Sequence, residues 1–200
     1  MVKAATRIFA KRGYAAASME DIAAASGITK PMLYAYFGSK EGLYTACMER
    51  GERALEEAVS DAVVHSTGPE LRLWHGLLAV FHFFDANPDL FAIGYPTGPT
   101  SGVFVETAAR GRASMADLLT SLFVDTAVDA GVDPEVAPRE TEPLAHALTG
   151  ATIALLAWSA SRPDEPRELQ ALRLMNFAWM GLGDLVRGEL WVPPAEEAKS

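Results

Sequence analysis

The chain has 200 residues, half of them hydrophobic and 22% charged, with one cysteine and a formal net charge of −9. That is enough apolar material to bury a core, which excludes a largely disordered chain, and a lone Cys47 excludes an internal disulfide framework. The chain does not open on a basic segment followed by an apolar one, so the reading is a cytoplasmic protein without a secretory leader.

The negative charge is unevenly placed. Residues 1–50 hold Lys3, Arg7, Lys11, Arg12, Lys30, Lys40 and Arg50 against Glu20, Asp21, Glu41 and Glu49, a net of +3, which leaves −12 for the rest. A basic head on an acidic body suits a protein whose head meets phosphates while its body is held off them.

Strand signals are nearly absent, and apolar residues recur at three- and four-residue spacing almost throughout, so the fold is predicted to be all-α with about nine helices. The breaks fall at Gly13, Gly27, Gly38, Thr67-Gly68-Pro69, Asn87-Pro88, the Gly94 to Gly102 stretch, Gly131 to Pro138 and Arg162 to Pro166. In the first helix Ala5, Ile8 and Phe9 share a face, and Gly13 is expected to end it. Ser18-Met19-Glu20-Asp21 is a capping box that opens a second helix, with Ile22 and Ala23 turned inward. After Ser26-Gly27, Thr29 caps a third helix whose first turn tolerates Pro31, because the missing N–H has no intrahelical acceptor there. Two short helices joined through a glycine turn make a helix-turn-helix.

The third helix, Thr29 to Phe37, divides by face. Leu33 and Phe37, with Ile28 ahead of them, are placed to pack on Ile8, Phe9 and Ile22. The other face carries Thr29, Lys30, Pro31, Met32, Tyr34 and Tyr36, a set of hydroxyls and a cation that suits base edges and phosphates. Ser39-Lys40-Glu41 then opens a long helix to about Val64, placing Lys40 and free N–H groups where a phosphate docks. With Ser18, these residues are the predicted contacts to double-stranded DNA.

Three stretches carry a resemblance: Ala4 to Tyr14, Ser18 to Lys30 and Leu33 to Glu41. In Arg7-Ile8-Phe9-Ala10, Ile22-Ala23-Ala24-Ala25-Ser26-Gly27-Ile28 and Leu33-Tyr34-Ala35-Tyr36-Phe37-Gly38-Ser39-Lys40-Glu41 the head closely resembles the tetracycline-repressor (TetR) family, gap-free over about the first quarter of the chain. The resemblance implies an Ω-shaped homodimer, DNA contacts from the third helix and an effector pocket in a helical C-terminal domain. Relatives usually carry further residues, often a basic arm, before the first helix. This sequence begins inside that helix, so arm contacts are not assigned. The division expected is a helix-turn-helix domain over residues 1–46 and an effector-binding and dimerisation domain over 47–200.

Beyond Gly51 there is no recognised motif. Trp74, Leu78, Phe81, Phe91, Phe104, Trp158, Met175 and Trp179 are the aromatic and large apolar residues chosen as candidates to line a pocket for a small hydrophobic effector. Two later segments suit dimerisation: Leu144 to Ser161, where Ala147, Gly150, Ala151 and Ala154 allow close approach, and Leu169 to Val186, with Phe177, Ala178, Gly181, Leu182 and Leu185. Pro143 to Ser161 lacks Asp, Glu, Lys and Arg, yet its Thr, Ser, Gly and His residues make it too polar for a lone membrane span. The tail Pro193 to Ser200 is expected to fray.

No catalytic, cofactor or metal set is assigned. His75, His82 and Asp85 lack the i, i+4 pairing of a helical metal site, and Cys47 has no evident activating partner. The reading is a ligand-responsive regulator, a repressor by expectation, rather than an enzyme. The rival reading is a helical small-molecule binder or enzyme that keeps the head as a remnant.

Overall fold

Ser18, Thr29 and Ser39 each stand in extended backbone just ahead of a helix. Each side-chain oxygen accepts a hydrogen bond from an amide three residues on: Asp21 at 3.0 Å, Met32 at 3.4 Å and Gly42 at 2.9 Å. Free helix N-termini leave four donors without partners, and these caps satisfy one each. They set the phase of everything that follows in the head.

A computed structural model of the protein describes residues 1–95, 103–129, 131–162 and 164–186, and for 103–105, 107–108 and 181–186 it describes the backbone alone. The described residues form nine helices: α1 (Val2–Ala16), α2 (Met19–Ala25), α3 (Lys30–Phe37), α4 (Lys40–Val63), α5 (Pro69–Ala86), α6 (Pro88–Gly94), α7 (Val103–Asp129), α8 (Ala137–Ser159) and α9 (Arg167–Val186). The all-α expectation holds for them. Residues 96–102 of the expected Gly94 to Gly102 break, and the tail Pro193 to Ser200, lie outside the described residues.

Gly13 takes a left-handed φ of 73°, as expected of a helix stop, but one further turn follows it, so α1 runs on to Ala16 with a kink inside. The last helices also begin differently from the reading. α8 starts at Ala137 with Pro138 in its first turn and carries Pro143 internally, so it runs several residues ahead of Leu144.

The apolar residues gather into two cores. In the head, Ala5 and Phe9 of α1, Ile22 of α2, Leu33 of α3 and Leu43, Tyr44 and Cys47 of α4 close on one another, with Ile8, Ile28 and Phe37 packed around them. Phe9 and Tyr44 meet edge-on with centroids 5.3 Å apart. The head core also draws in Met48 and, from far along the chain, Ile93 of α6. Burial leaves Cys47 inert: its thiol is pushed up by desolvation, and its Sγ lies 3.6 Å from the Val2 carbonyl.

In the body, α5 lies between α4 and α9, and α7 packs along α8. Leu55, Leu73, Leu77, Phe81, Leu148, Leu156, Leu174 and Met175 form its buried centre.

A polar contact within the head core holds α6 to α4. The Tyr44 hydroxyl donates to the Ile93 carbonyl at 2.5 Å, deep in the structure. That carbonyl lies in the last turn of α6, where helix geometry provides no amide to meet it. Burial pushes the Tyr44 hydroxyl up to about 12, so it remains a donor throughout the working pH range. Tyr44→Phe keeps the ring and strands the carbonyl, and is expected to cost about 1–3 kcal/mol in a urea or thermal melt. An unchanged midpoint would show that water takes the hydroxyl's place.

Candidate nucleic-acid interface and body cavities

The short α3 is anchored by Leu33, which is fully buried, and by the half-buried Phe37. Helical spacing then forces its other residues outward: Thr29, Lys30, Pro31, Met32, Tyr34 and Tyr36 are all exposed, Tyr36 at 65%. Four of the six carry a hydroxyl or an ammonium, and Met32 adds one apolar contact surface. Tyr34 and Tyr36 adjoin the core anchors Leu33 and Phe37 in sequence but are exposed, and phosphate oxygens and base edges match their hydroxyls.

The predicted cations differ in their surroundings. Lys30 reaches back to pair with Glu20 at the start of α2 and lies 5.8 Å from the Tyr34 ring. The hydrogen bond from Lys30 lowers the Glu20 carboxyl, and the same bond raises the Lys30 ammonium, so both stay charged. Arg12 pairs likewise with Asp21, whose carboxyl is lowered first by Ser18 and then by Arg12. Lys40 is part-buried, donates to the Ala15 carbonyl at 3.2 Å and stands 4.5 Å over the Tyr14 ring. It therefore closes the end of α1, and a phosphate at the N-terminus of α4 would share it with that carbonyl. Ser18 is half-buried and its oxygen is engaged in capping α2. Thus Thr29, Lys30, Pro31, Met32, Tyr34 and Tyr36 all stand exposed on or just ahead of α3, while Ser18 caps α2 and Lys40 is held against the end of α1.

The body holds cavities among α4, α5, α6 and α7. One of about 40 Å³ is lined by Met48, Glu52 and Leu55 of α4, Phe83 and Phe84 of α5, Leu90 of α6, Tyr95, and Gly111 and Met115 of α7. A second, of about 220 Å³, continues along α4 through Glu56, Val59 and Val63 to Leu73, Leu77, Leu119 and Leu122. The two share Glu56, Met115 and Leu118, so they are successive chambers of one slot. A third, of about 200 Å³, lies under Arg167 between Phe81, Phe91 and Leu156.

The structure sorts the predicted pocket residues. Phe81 and Phe91 line the third cavity. Trp74, Leu78, Met175 and Trp179 pack in the body core and line none of these three cavities. Trp158 is exposed on α8 beneath the Arg162 guanidinium, 4.0 Å from its ring, because its position falls on the outward face of that helix. The side chains of Phe104, Leu182 and Leu185 lie outside what is described, and for Gly181 the backbone alone is described. The slot residues that were not picked out from the sequence come mainly from α4, α5 and α7. One signal was available: Met48, Glu52, Leu55 and Val59 recur at helical spacing, which puts a carboxylate on the apolar face of α4.

Of the predicted dimer residues, Ala147, Gly150 and Ala154 form one exposed row on α8, while Ala151 and Ala178 are half-buried and Phe177 is exposed on α9. His75, His82 and Asp85 separate: His75 Nδ1 meets the Ser66 hydroxyl at 2.7 Å, His82 meets Glu168 at 3.0 Å, and Asp85 pairs with Arg167 at 2.6 Å. No described helix is long and apolar enough to cross a membrane.

Residues 1–47 match the model of the bacterial regulatory proteins of the tetR family. Over 91% of its length the chain superposes on 93% of a TetR-like transcriptional regulator from Rhodococcus sp. RHA1, with a TM-score of 0.70 and 28% identity. The first 47 residues are thus of the tetR type, and the fold of the described residues is tetR-like. Among curated relatives, the HTH-type transcriptional activator FasR of Mycolicibacterium smegmatis is 35% identical over 111 residues, 54% of this chain and 51% of that protein. The chain thus spans about half the length of that relative. A tetR-like fold is also seen in the structure of AibR in complex with isovaleryl coenzyme A and operator DNA, with a TM-score of 0.63, 24% identity and coverage of 88% of this chain and 94% of that one.

Proposed function

We propose that this protein is a ligand-responsive transcriptional regulator of the tetR family, a repressor that binds a pseudo-palindromic operator as a homodimer and leaves it when a small hydrophobic effector enters the body. The observation that carries the reading is the outward face of α3, where Lys30, Tyr34 and Tyr36 stand exposed on a helix pinned from below by Leu33. The regulators to which the chain is similar, one of them held with operator DNA, support its DNA-binding part. In this reading the protein acts in the cytoplasm by binding and not by catalysis.

Two α3 helices related by a two-fold axis would enter successive major grooves roughly 34–36 Å apart. The pairing surface is supplied by α8 and α9, which pack on each other and leave apolar rows outside: Ala147, Gly150, Ala154 and Trp158 on one, Leu172, Phe177 and Met180 on the other. The slot along α4 is the effector site, because the helix that lines it begins at Ser39 beside the DNA face. An effector weakens operator binding only through its preference for one setting of that helix.

The test is DNA selected from a random pool, bound by wild type and by a Lys30→Ala/Tyr36→Ala variant across a salt series. Wild type is expected to select one palindromic sequence. The variant is expected to lose about tenfold or more in affinity and about one unit of salt slope, the signature of one phosphate contact removed. No selected sequence, with equal weak binding by both proteins, overturns the reading. Operator occupancy without added effector separates a repressor from an activator.

A further inference from the structure

The first chamber of the slot contains an unusual group. Glu52 lies on the apolar face of α4, and its Oε1 is buried with no hydrogen-bond donor among the described residues. Burial, the largest influence, raises its carboxyl; Arg110 opposes the shift, Glu56 and Glu49 add to it, and Arg53 opposes it. An acceptor kept in such a place without a donor costs folding free energy.

The surroundings indicate what completes it. The described residues lining this chamber include two carboxylates, Glu52 and Glu56, and no basic side chain. Glu56 is already engaged, accepting from the Ser114 hydroxyl at 2.9 Å. Opposite stand the rings of Phe84 and Tyr95, edge to face at 5.9 Å. On α7, Gly111 makes the space: a β-carbon there would come within 3.3 Å of Glu52 Oε1. A carboxylate beside aromatic faces in a desolvated chamber is the environment that attracts an ammonium group. Beyond it the second chamber is lined by Val59, Val63, Leu77, Leu119 and Leu122, and from Met48 to Val63 the slot follows α4 for roughly 22 Å at 1.5 Å per residue.

We infer that the slot takes an elongated aliphatic amine, its ammonium donating to Glu52 against the Phe84 and Tyr95 rings and its chain lying along α4 in the second chamber. The inference rests on the slot being the effector site, and it names the effector's class. It also sets what the first chamber refuses: a carboxylate head placed there meets Glu52 as a like charge, whereas the wall of the second chamber includes Arg72.

The test is calorimetric binding of dodecylamine, dodecanol and dodecanoate, each below its micellar concentration, to the full chain and to Glu52→Gln. Wild type is expected to prefer the amine over the carboxylate by about tenfold or more, and Glu52→Gln to abolish most of that preference. The substitution removes a buried charge without changing shape, so the variant is expected to fold and to melt no lower than wild type. Equal or tighter binding of dodecanoate by wild type overturns the inference, as does a preference unchanged in Glu52→Gln. Release of the selected operator is read separately. Amine binding as expected with the operator retained leaves the inference standing and removes the effector reading. Release by dodecanoate does the reverse.

Discussion

Phe177→Glu combined with Met180→Glu is expected to turn a dimer into a monomer in sedimentation equilibrium and to weaken binding to the selected operator by about a hundredfold or more. The two side chains are the most exposed large apolar groups among the described residues, at 76% and 77%. With Leu172 they lie along the outward side of α9, and α8 adds Trp158 and a row of small residues. A soluble protein rarely leaves such a contiguous apolar strip to water, and two copies facing each other across a two-fold axis would cover it. Two glutamates on each partner place four like charges in that contact, where desolvation and repulsion add. The loss of DNA binding follows because a monomer holds one half-site and forfeits the phosphate contacts of the other. Circular dichroism is expected to stay unchanged, since neither side chain supports its own subunit. A variant that still sediments as a dimer would show that the strip is not the pairing surface.

Phe81→Ala is expected to be the most damaging single substitution in the body, costing about 3–5 kcal/mol and lowering the melting temperature by roughly 10 °C. Phe81 is fully buried, the largest such side chain among the described residues. It stands in the body core and on the wall of the cavity under Arg167. Its removal would enlarge a space of about 200 Å³, and a site already open on one side collapses poorly around the loss. The neighbouring aromatics Phe84 and Phe91, in contact at 5.3 Å, hold each other in place and limit the relaxation further. A cost below about 1 kcal/mol would mean that α6 closes over the gap.

The head was legible residue by residue because its rules are local. Ser18, Thr29 and Ser39 were recognisable as caps from four-residue windows, and the split of α3 into a Leu33 side and a Tyr34/Tyr36 side needs only the helical period. What escaped were contacts across distance. Lys40 reads in sequence as a phosphate ligand at a helix start, yet it bonds to Ala15, 25 positions earlier. Lys30 likewise reads as a phosphate-facing cation, yet it is paired with Glu20. In the body, hydrophobicity selected the bulkiest residues, and bulk is what fills a core: Trp74, Met175 and Trp179 are packing, and Trp158 faces out. The slot is made where side chains are small or shaped to leave room, at Gly51, Gly94 and Gly111, and no local pattern announces where three helices from separate parts of the chain will meet.

Ile93 belongs by sequence to the body but is built into the head's core, with its carbonyl held by Tyr44. A graft of residues 1–46 onto a foreign body would therefore arrive with a hole where Ile93, Met48 and Cys47 had been, and with the Tyr44 hydroxyl deprived of its acceptor. If α3 reads DNA as proposed, retargeting is better served by exchanging the outward residues of that helix in place. A working hybrid made by swapping whole modules would have to carry a matching sixth helix along with the head.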